Sequence, residues 1–191
     1  TQTQIMRRGF QYVFRYAMDN ERSGKNIVDF VQYQGKRTGK AAKRAAMMTV
    51  DDNFGRDLAR SIKKAIEGTD QKIVAEIYYP LKVTSVDVEV AKIKAANPDV
   101  IYLTGFLYDA TLITTALRVH RVNPLGIVTL GGTSNPEYLR MTGNMAEYFF
   151  GQYKYDSDLN RREVQEFDAK VMRRYGRHGN PFIATGYGLV Y

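Results

Sequence analysis

The chain has 191 residues, 44% hydrophobic and 25% charged, with a formal net charge of +8 and no cysteine. A chain of this size hides roughly 70% of its unfolded surface on folding, so one large domain with a real core is expected and disorder is excluded as the main state. The lack of cysteine removes disulfides, thiolate metal sites, iron–sulfur clusters and cysteine nucleophiles, and no run of roughly 18 apolar residues reads as a membrane-spanning helix.

The opening residues Thr1-Gln2-Thr3-Gln4 lack the basic start and apolar stretch of a signal peptide. Residues 11–16 read as a strand. Residues 26–34 read as a helix with Ile27, Phe30 and Val31 on one face. Lys36, Arg37, Lys40, Lys43 and Arg44 form a dense basic cluster, whereas Arg161, Arg162, Arg173, Arg174 and Arg177 alternate with Glu163, Glu166 and Asp168 as on solvated helix faces. That interleaving argues against nucleic acid as a partner.

From residue 45 the pattern becomes regular. Residues 45–50 form a buried-strand run closed by Asp51-Asp52-Asn53, with Asn53 placed to cap the helix that follows. That helix carries Leu58, Ile62 and Ile66 at four-residue steps and stops at Gly68. Residues 72–79 are rich in β-formers and end at Pro80. Thr84 or Ser85 caps a helix with Val86, Val90 and Ile93 along one side, which Asn97-Pro98 stops. Residues 100–103 make a third strand. Asp109 caps a helix bearing Leu112, Ile113, Ala116 and Leu117, and Asn123-Pro124 ends it. Residues 127–130 make a fourth strand, closed by Gly131-Gly132. The later segments are less regular: a short helix over 136–141, a strand over 148–155 and a helix over 161–175.

Residues 45–132 therefore read βαβαβαβ, the pattern of a Rossmann-like α/β fold, a parallel sheet with right-handed crossovers and helices on both faces. Ligands of such sheets sit beyond the carboxyl ends of the strands, which singles out residues 51–55, 104–109 and 131–135. The apolar ending Tyr187-Gly188-Leu189-Val190-Tyr191 reads as a chain cut from something longer.

Several chemistries fail at these loops. The segment 35–41, GKRTGKA, is one residue short of a phosphate-binding loop and precedes a strand instead of following one. The turn after Val50 holds one glycine, Gly55, where a dinucleotide fingerprint needs three. Asp51 and Asp52 resemble a magnesium pair, but Thr104-Gly105 stands where the phosphate-accepting aspartate would be, so they read as a turn and helix cap. His120 and His178 lack partners in the sequence pattern, and no Gly-x-Ser-x-Gly elbow occurs. Neither a catalytic set nor a metal or cofactor site is expected. What the loops offer is Phe54, Phe106 and Tyr108 beside Asn53, Thr104, Gly132, Thr133 and Ser134, a combination that either lines a small-molecule pocket or packs beneath the helix starts.

The stretch 44–59, RAAMMTVDDNFGRDLA, resembles the strand–loop–helix that opens the second lobe of type 1 periplasmic binding proteins, in particular the branched-chain amino acid receptors of ABC importers. Residues 93–102, IKAANPDVIY, are similar to the family's helix end and following strand, and Asp109-Ala110 to the next helix start. Phe14-Arg15 resembles the strand leading into that lobe, Gly143 to Phe150 with Glu147 the glycine–acid stretch before a later strand, and Tyr187 the tyrosine of the helix returning to the first lobe. The resemblance runs in order through nearly the whole chain. It implies that residues 1–191 form a single ligand-binding lobe, with core 45–132 and flanks 1–44 and 133–191, of a two-lobe protein whose first lobe is absent.

By the same resemblance the chain is the solute-binding component of an ABC importer, without catalysis. It takes an amino-acid-like or organic acid ligand between its lobes and docks on a membrane permease. Its place is the periplasm or cell exterior, with a lipid anchor on the full-length protein as an option. Phe54 matches the aromatic that covers the ligand, Phe106 lies near a second contact, and Gly131 to Thr133 match the loop where amino acid receptors carry an acid for the ligand's ammonium. Residues 131–135 hold no carboxylate, and Ser85 stands where the family often has aspartate. The missing acid predicts a neutral or anionic ligand in place of a simple branched-chain amino acid. The alternative on the same fold is an extracellular sensory or regulatory ligand-binding domain.

Overall fold

A computed structural model describes residues 3–190. These residues divide into two compact units, one built on Asp19–Gln152 with residues 3–5, and the other on Met6–Met18 with residues 153–190.

The first unit holds a five-stranded, wholly parallel sheet. In chain order it runs α1 (Asn20–Thr38), β1 (Arg44–Val50), α2 (Asn53–Ile66), β2 (Lys72–Tyr79), α3 (Asp87–Ala96), β3 (Val100–Gly105), α4 (Leu107–Val119), β4 (Gly126–Gly131), α5 (Pro136–Thr142) and β5 (Phe149–Gly151). The spatial order is β2-β1-β3-β4-β5, with β1 and β3 at the centre. Side chains alternate between two apolar layers, as the pleat requires. Ala46, Met48 and Val50 of β1 join Ile101 and Leu103 of β3 against Val90 and Ile93 of α3 and Ile113 and Leu117 of α4. Ala45 and Met47 join Tyr102 and Val128 against Ile27 and Val28 of α1 and Leu58 and Ile62 of α2. Burial on both faces explains why these strands read as continuous apolar runs.

Helices α1 and α2 approach closely because Gly24 has no side chain: a Cβ there would lie 2.8 Å from the Cβ of Ser61. Asn20 adds a buried bond across the pair, donating from Nδ2 to Asp57 Oδ2 at 3.0 Å. Helix α1 is longer than the apolar stripe predicted, starting at the cap Asp19, whose side chain accepts from the Arg22 amide, and ending before Gly39 in the left-handed region.

Other ends also differ from the expectations. Asp52, not Asn53, caps α2, its carboxylate accepting the Gly55 amide at 2.7 Å, while Asn53 is the first helical residue. Helix α2 stops at Ile66, two residues before Gly68. Val86 precedes α3 without a side-chain cap, and Ser85 sits one position earlier, 2.8 Å from Asp87 Oδ2. Asp109 lies in the first turn of α4 instead of capping it. The strand expected over 148–155 is only Phe149–Gly151, preceded by Tyr148 at φ 63°. No strand forms over 11–16: Tyr12 is 81% and Phe14 83% exposed, and aromatic β-propensity without a pairing neighbour does not make a strand.

The second unit contains α6 (Arg162–Tyr175) and α7 (Pro181–Gly188). Phe167 packs between Tyr155, edge-on with centroids 5.4 Å apart, and Tyr187 at 4.9 Å. Asp168 gathers three donors, the Gly179 amide at 2.7 Å, His178 Nδ1 at 2.6 Å and the Tyr155 hydroxyl at 3.2 Å. Among the described residues no helix is long and apolar enough to cross a membrane.

Candidate functional site

Parallel register brings the carboxyl ends of the central strands level: Thr49 pairs with Thr104, Thr104 with Leu130, and Gly105 with Gly131. The loops leaving β1, β3 and β4 thus meet at one edge. Two glycines set how closely. Gly131 has φ 106° and ψ −109°, and a Cβ on it would stand 2.2 Å from the Gly105 carbonyl oxygen. A Cβ on Gly132 would stand 2.1 Å from the Phe106 carbonyl carbon. Backbone therefore lies directly on backbone, and neither position accepts any other residue without displacing the loop after β3.

Over this saddle sit two phenylalanines. The rings of Phe54, from the first turn of α2, and Phe106, before α4, are 6.0 Å apart and tilted by 41°. Phe106 is 44% exposed, whereas Phe54 is half-buried and packs against both apolar layers. Of the two alternatives for Phe54, the structure shows core packing for its inner side.

A buried clamp fixes the Phe106 loop. The Tyr79 hydroxyl, at the end of β2, lies 2.7 Å from Asp109 Oδ2 and 2.8 Å from the Thr104 carbonyl oxygen, and Asp109 Oδ1 accepts the Phe106 amide at 2.8 Å. Burial first, and then the Asp109 carboxylate, push the Tyr79 phenol far above its ordinary pKa, so it stays a donor. Gly105 makes room for the clamp, since a Cβ there would meet the Tyr79 oxygen at 2.2 Å. Sequence reading missed Tyr79. Its signal was a tyrosine ending a strand just before Pro80.

The remaining candidates spread out. Asn53 is exposed at the start of α2 and Tyr108 is 77% exposed on α4. Thr104 is only 1% exposed and lies beneath the edge; its Oγ1 has no hydrogen-bond partner among the described residues, nor has that of its register neighbour Thr49. Thr133 is buried, its hydroxyl 2.6 Å from that of Thr129, and Ser134 donates to the Gly131 carbonyl at 2.7 Å. These two hydroxyls brace the loop after β4. At the rim Asp51 pairs with Arg56 at 2.5 Å, and the Arg56 guanidinium covers the Tyr78 ring at 5.1 Å. Burial, and then Glu76, raise the Tyr78 pKa to about 12.

Among the described residues no group of acidic or histidine side chains could hold a metal ion. His120 pairs with Asp87 at 2.8 Å and His178 with Asp168. The edge offers apolar surface and hydrogen bonding, the latter from the first amides of α2 and α4 that helical geometry leaves without intrahelical acceptors.

The family model described as periplasmic binding protein matches residues 6–191. No curated protein sequence matches the chain significantly. The fold is similar to that of a leucine-binding protein of Thermotoga maritima, with TM-score 0.83 and 20% identity over 98% of this chain and 52% of that one. It is also similar to the leucine-, isoleucine-, valine-, threonine- and alanine-binding protein of Brucella ovis in its closed conformation (TM-score 0.79, 19% identity, 93% and 45% covered). A third likeness is to an ABC transporter substrate-binding protein of Desulfitobacterium hafniense in complex with Leu (TM-score 0.77, 17% identity, 100% and 52% covered). The chain thus spans about half the length of these structures. The match across 6–191 and the parallel sheet with helices on both faces place this chain in the periplasmic binding protein family, whose members are non-catalytic solute-binding proteins of the periplasm or cell exterior.

Proposed function

We propose that the chain is the second lobe of a two-lobe solute receptor of an ABC importer, and that its Phe54–Phe106 edge forms one wall of the ligand cleft. The observation that carries this reading is the half-exposed aromatic pair at the carboxyl edge of the sheet, held over a glycine saddle by the Tyr79–Asp109 clamp. Leucine and related amino acids are named with the structurally similar proteins, which makes an amino-acid-like or organic acid body the starting point. Residues 131–135 supply no carboxylate for an ammonium, and glycine is sterically required at 131 and 132. The ligand on this reading is a neutral or anionic solute with an aliphatic or aromatic body, enclosed when the other lobe closes. The closed form then docks on the membrane permease.

The test is a thermal-shift panel on the two-lobe protein. A ligand at 100 times its dissociation constant stabilises by about 2.7 kcal/mol. Carboxylates lacking the amino group should shift the melting temperature more than leucine, isoleucine or valine of matching shape. Strong shifts with those amino acids and none with their des-amino counterparts would refute the ligand class.

A further inference from the structure

The basic cluster at the end of α1 plays no part in the site above. It lies at the amino ends of the strands, where Val100 and Gly126 begin β3 and β4. Beside it opens a cleft of about 490 Å³ with Phe30, Val100, Val128 and Phe150 among its apolar walls and Arg37 and Lys40 among its polar ones. Register explains the floor: Val128 pairs with Phe150, and the Phe150 ring folds back over Gly126, where a Cβ would lie 3.1 Å from it. Phe30 of α1 meets the same ring at 5.4 Å. A second cleft of about 410 Å³ shares Phe30, Val128 and Phe150, so the apolar trough continues along α1.

Among the described residues neither Arg37 nor Lys40 has a carboxylate partner; Arg37 Nε donates to the neutral Gln34 at 3.0 Å. Arg44, by contrast, is held by the Ala96 and Asn97 carbonyls. Two unpaired cations thus stand at one end of an apolar trough whose volume falls within the roughly 300–1,000 Å³ of small-molecule sites, with the few polar groups such sites use for orientation.

We propose that this cleft binds a medium-chain aliphatic carboxylate, its chain along Phe30, Val128 and Phe150 and its carboxylate at Arg37 and Lys40. Charge complementarity selects the acid over an alcohol or an amine, and the fork of Arg37 suits a carboxylate in particular. The site is separate from the Phe54–Phe106 edge, at the opposite end of the strands.

The test is titration of the chain with dansylaminoundecanoate, followed by displacement with decanoate. Saturable binding is expected, with decanoate competing well and 1-decanol and decyltrimethylammonium poorly. The double variant R37Q/K40Q should bind decanoate about five- to tenfold more weakly, since exposed charge pairs are individually modest. Raising the salt about tenfold should weaken the parent and leave the variant unchanged. Both side chains are exposed, so the variant should keep the parent's melting temperature, and F106A should keep the parent's decanoate affinity. Competition by decanol equal to that by decanoate, an unchanged affinity in R37Q/K40Q, or salt-insensitive binding would overturn the proposal. So would co-sedimentation with phosphatidylglycerol vesicles that decanoate fails to displace, which would mark a membrane surface as the occupant.

Discussion

Replacing Asp109 by alanine tests the clamp behind the aromatic edge. The carboxylate serves two donors, the Tyr79 hydroxyl at 2.7 Å and the Phe106 amide at 2.8 Å, and the residue is 8% exposed. Hydrogen bonds to a charged group are worth about 1.5–3 kcal/mol each. The full sum is not expected. The Tyr79 hydroxyl retains the Thr104 carbonyl at 2.8 Å, and the Phe106 amide belongs to a residue open enough for water to reach. The expected loss is about 2–3 kcal/mol in urea unfolding at neutral pH. Asp109→Asn keeps an acceptor for the Phe106 amide and should lose about half as much. Tyr79→Phe leaves one carboxylate oxygen short of a donor and should cost about 1–2 kcal/mol. Because the two groups share one bond, Y79F/D109A should cost about 1 kcal/mol less than the sum of the single changes. Hydrogen exchange supplies the local readout: the Phe106 amide should lose protection in D109A and keep it in Y79F. A D109A protein within about 0.5 kcal/mol of the parent, with Phe106 protection unchanged, would show that the clamp holds nothing.

Three further outcomes are expected. In the two-lobe protein Phe106→Ala should weaken ligand binding by about 1–3 kcal/mol, measured by calorimetry, with little change in the free protein's melting temperature, whereas Phe54→Ala should lower both because that ring also packs on the core. Gly131→Ala should destabilise by about 3 kcal/mol or more in thermal unfolding, combining a glycine-only backbone conformation with a clash against Gly105. Burial opposes ionisation of Asp168, yet the Gly179 amide, His178 and Tyr155 outweigh it and hold the pKa below the ordinary aspartate value. Stabilisation from that depressed pKa is present above the unfolded-state aspartate pKa and lost as pH falls through the folded one, so Asp168→Asn should destabilise at neutral pH and converge with the parent in acid, as pH-dependent urea melts would show.

The parallel core was legible because the patterns repeat: β1, β3 and β4 are mainly apolar runs, each with a single threonine inside, and α2 carries Leu58, Ile62 and Ile66 on one side. The three edge loops followed from that order, and the family from the resemblance carried by residues 44–59 and 93–102. The exposures of their residues did not. Thr104 and Gly105 are adjacent in the chain, but strand alternation turns the threonine under α2's layer and leaves the glycine to admit the Tyr79 oxygen. Asp109 reads locally as a helix-start acid; its other partner is Tyr79, 30 residues earlier and on a strand that does not neighbour β3. Residues 11–16 failed for the opposite reason, since their aromatics carry a strand's composition without a strand to pair with.

The buried hydroxyls of Thr49 and Thr104 bear on where opening of the sheet would gain hydration. They face each other across the central strand pair, at its carboxyl end, and neither has a hydrogen-bond partner among the described residues. An unanswered buried hydroxyl costs on the order of 1–3 kcal/mol, so valine at either position would tighten the pair. With threonine there, opening from the carboxyl end gains hydration that opening from the amino end, lined by Ala45 and Val100, does not. Opening of the sheet is therefore expected to start at the aromatic edge, and faster hydrogen exchange at Thr49 and Thr104 than at Ala45 and Val100 would show it.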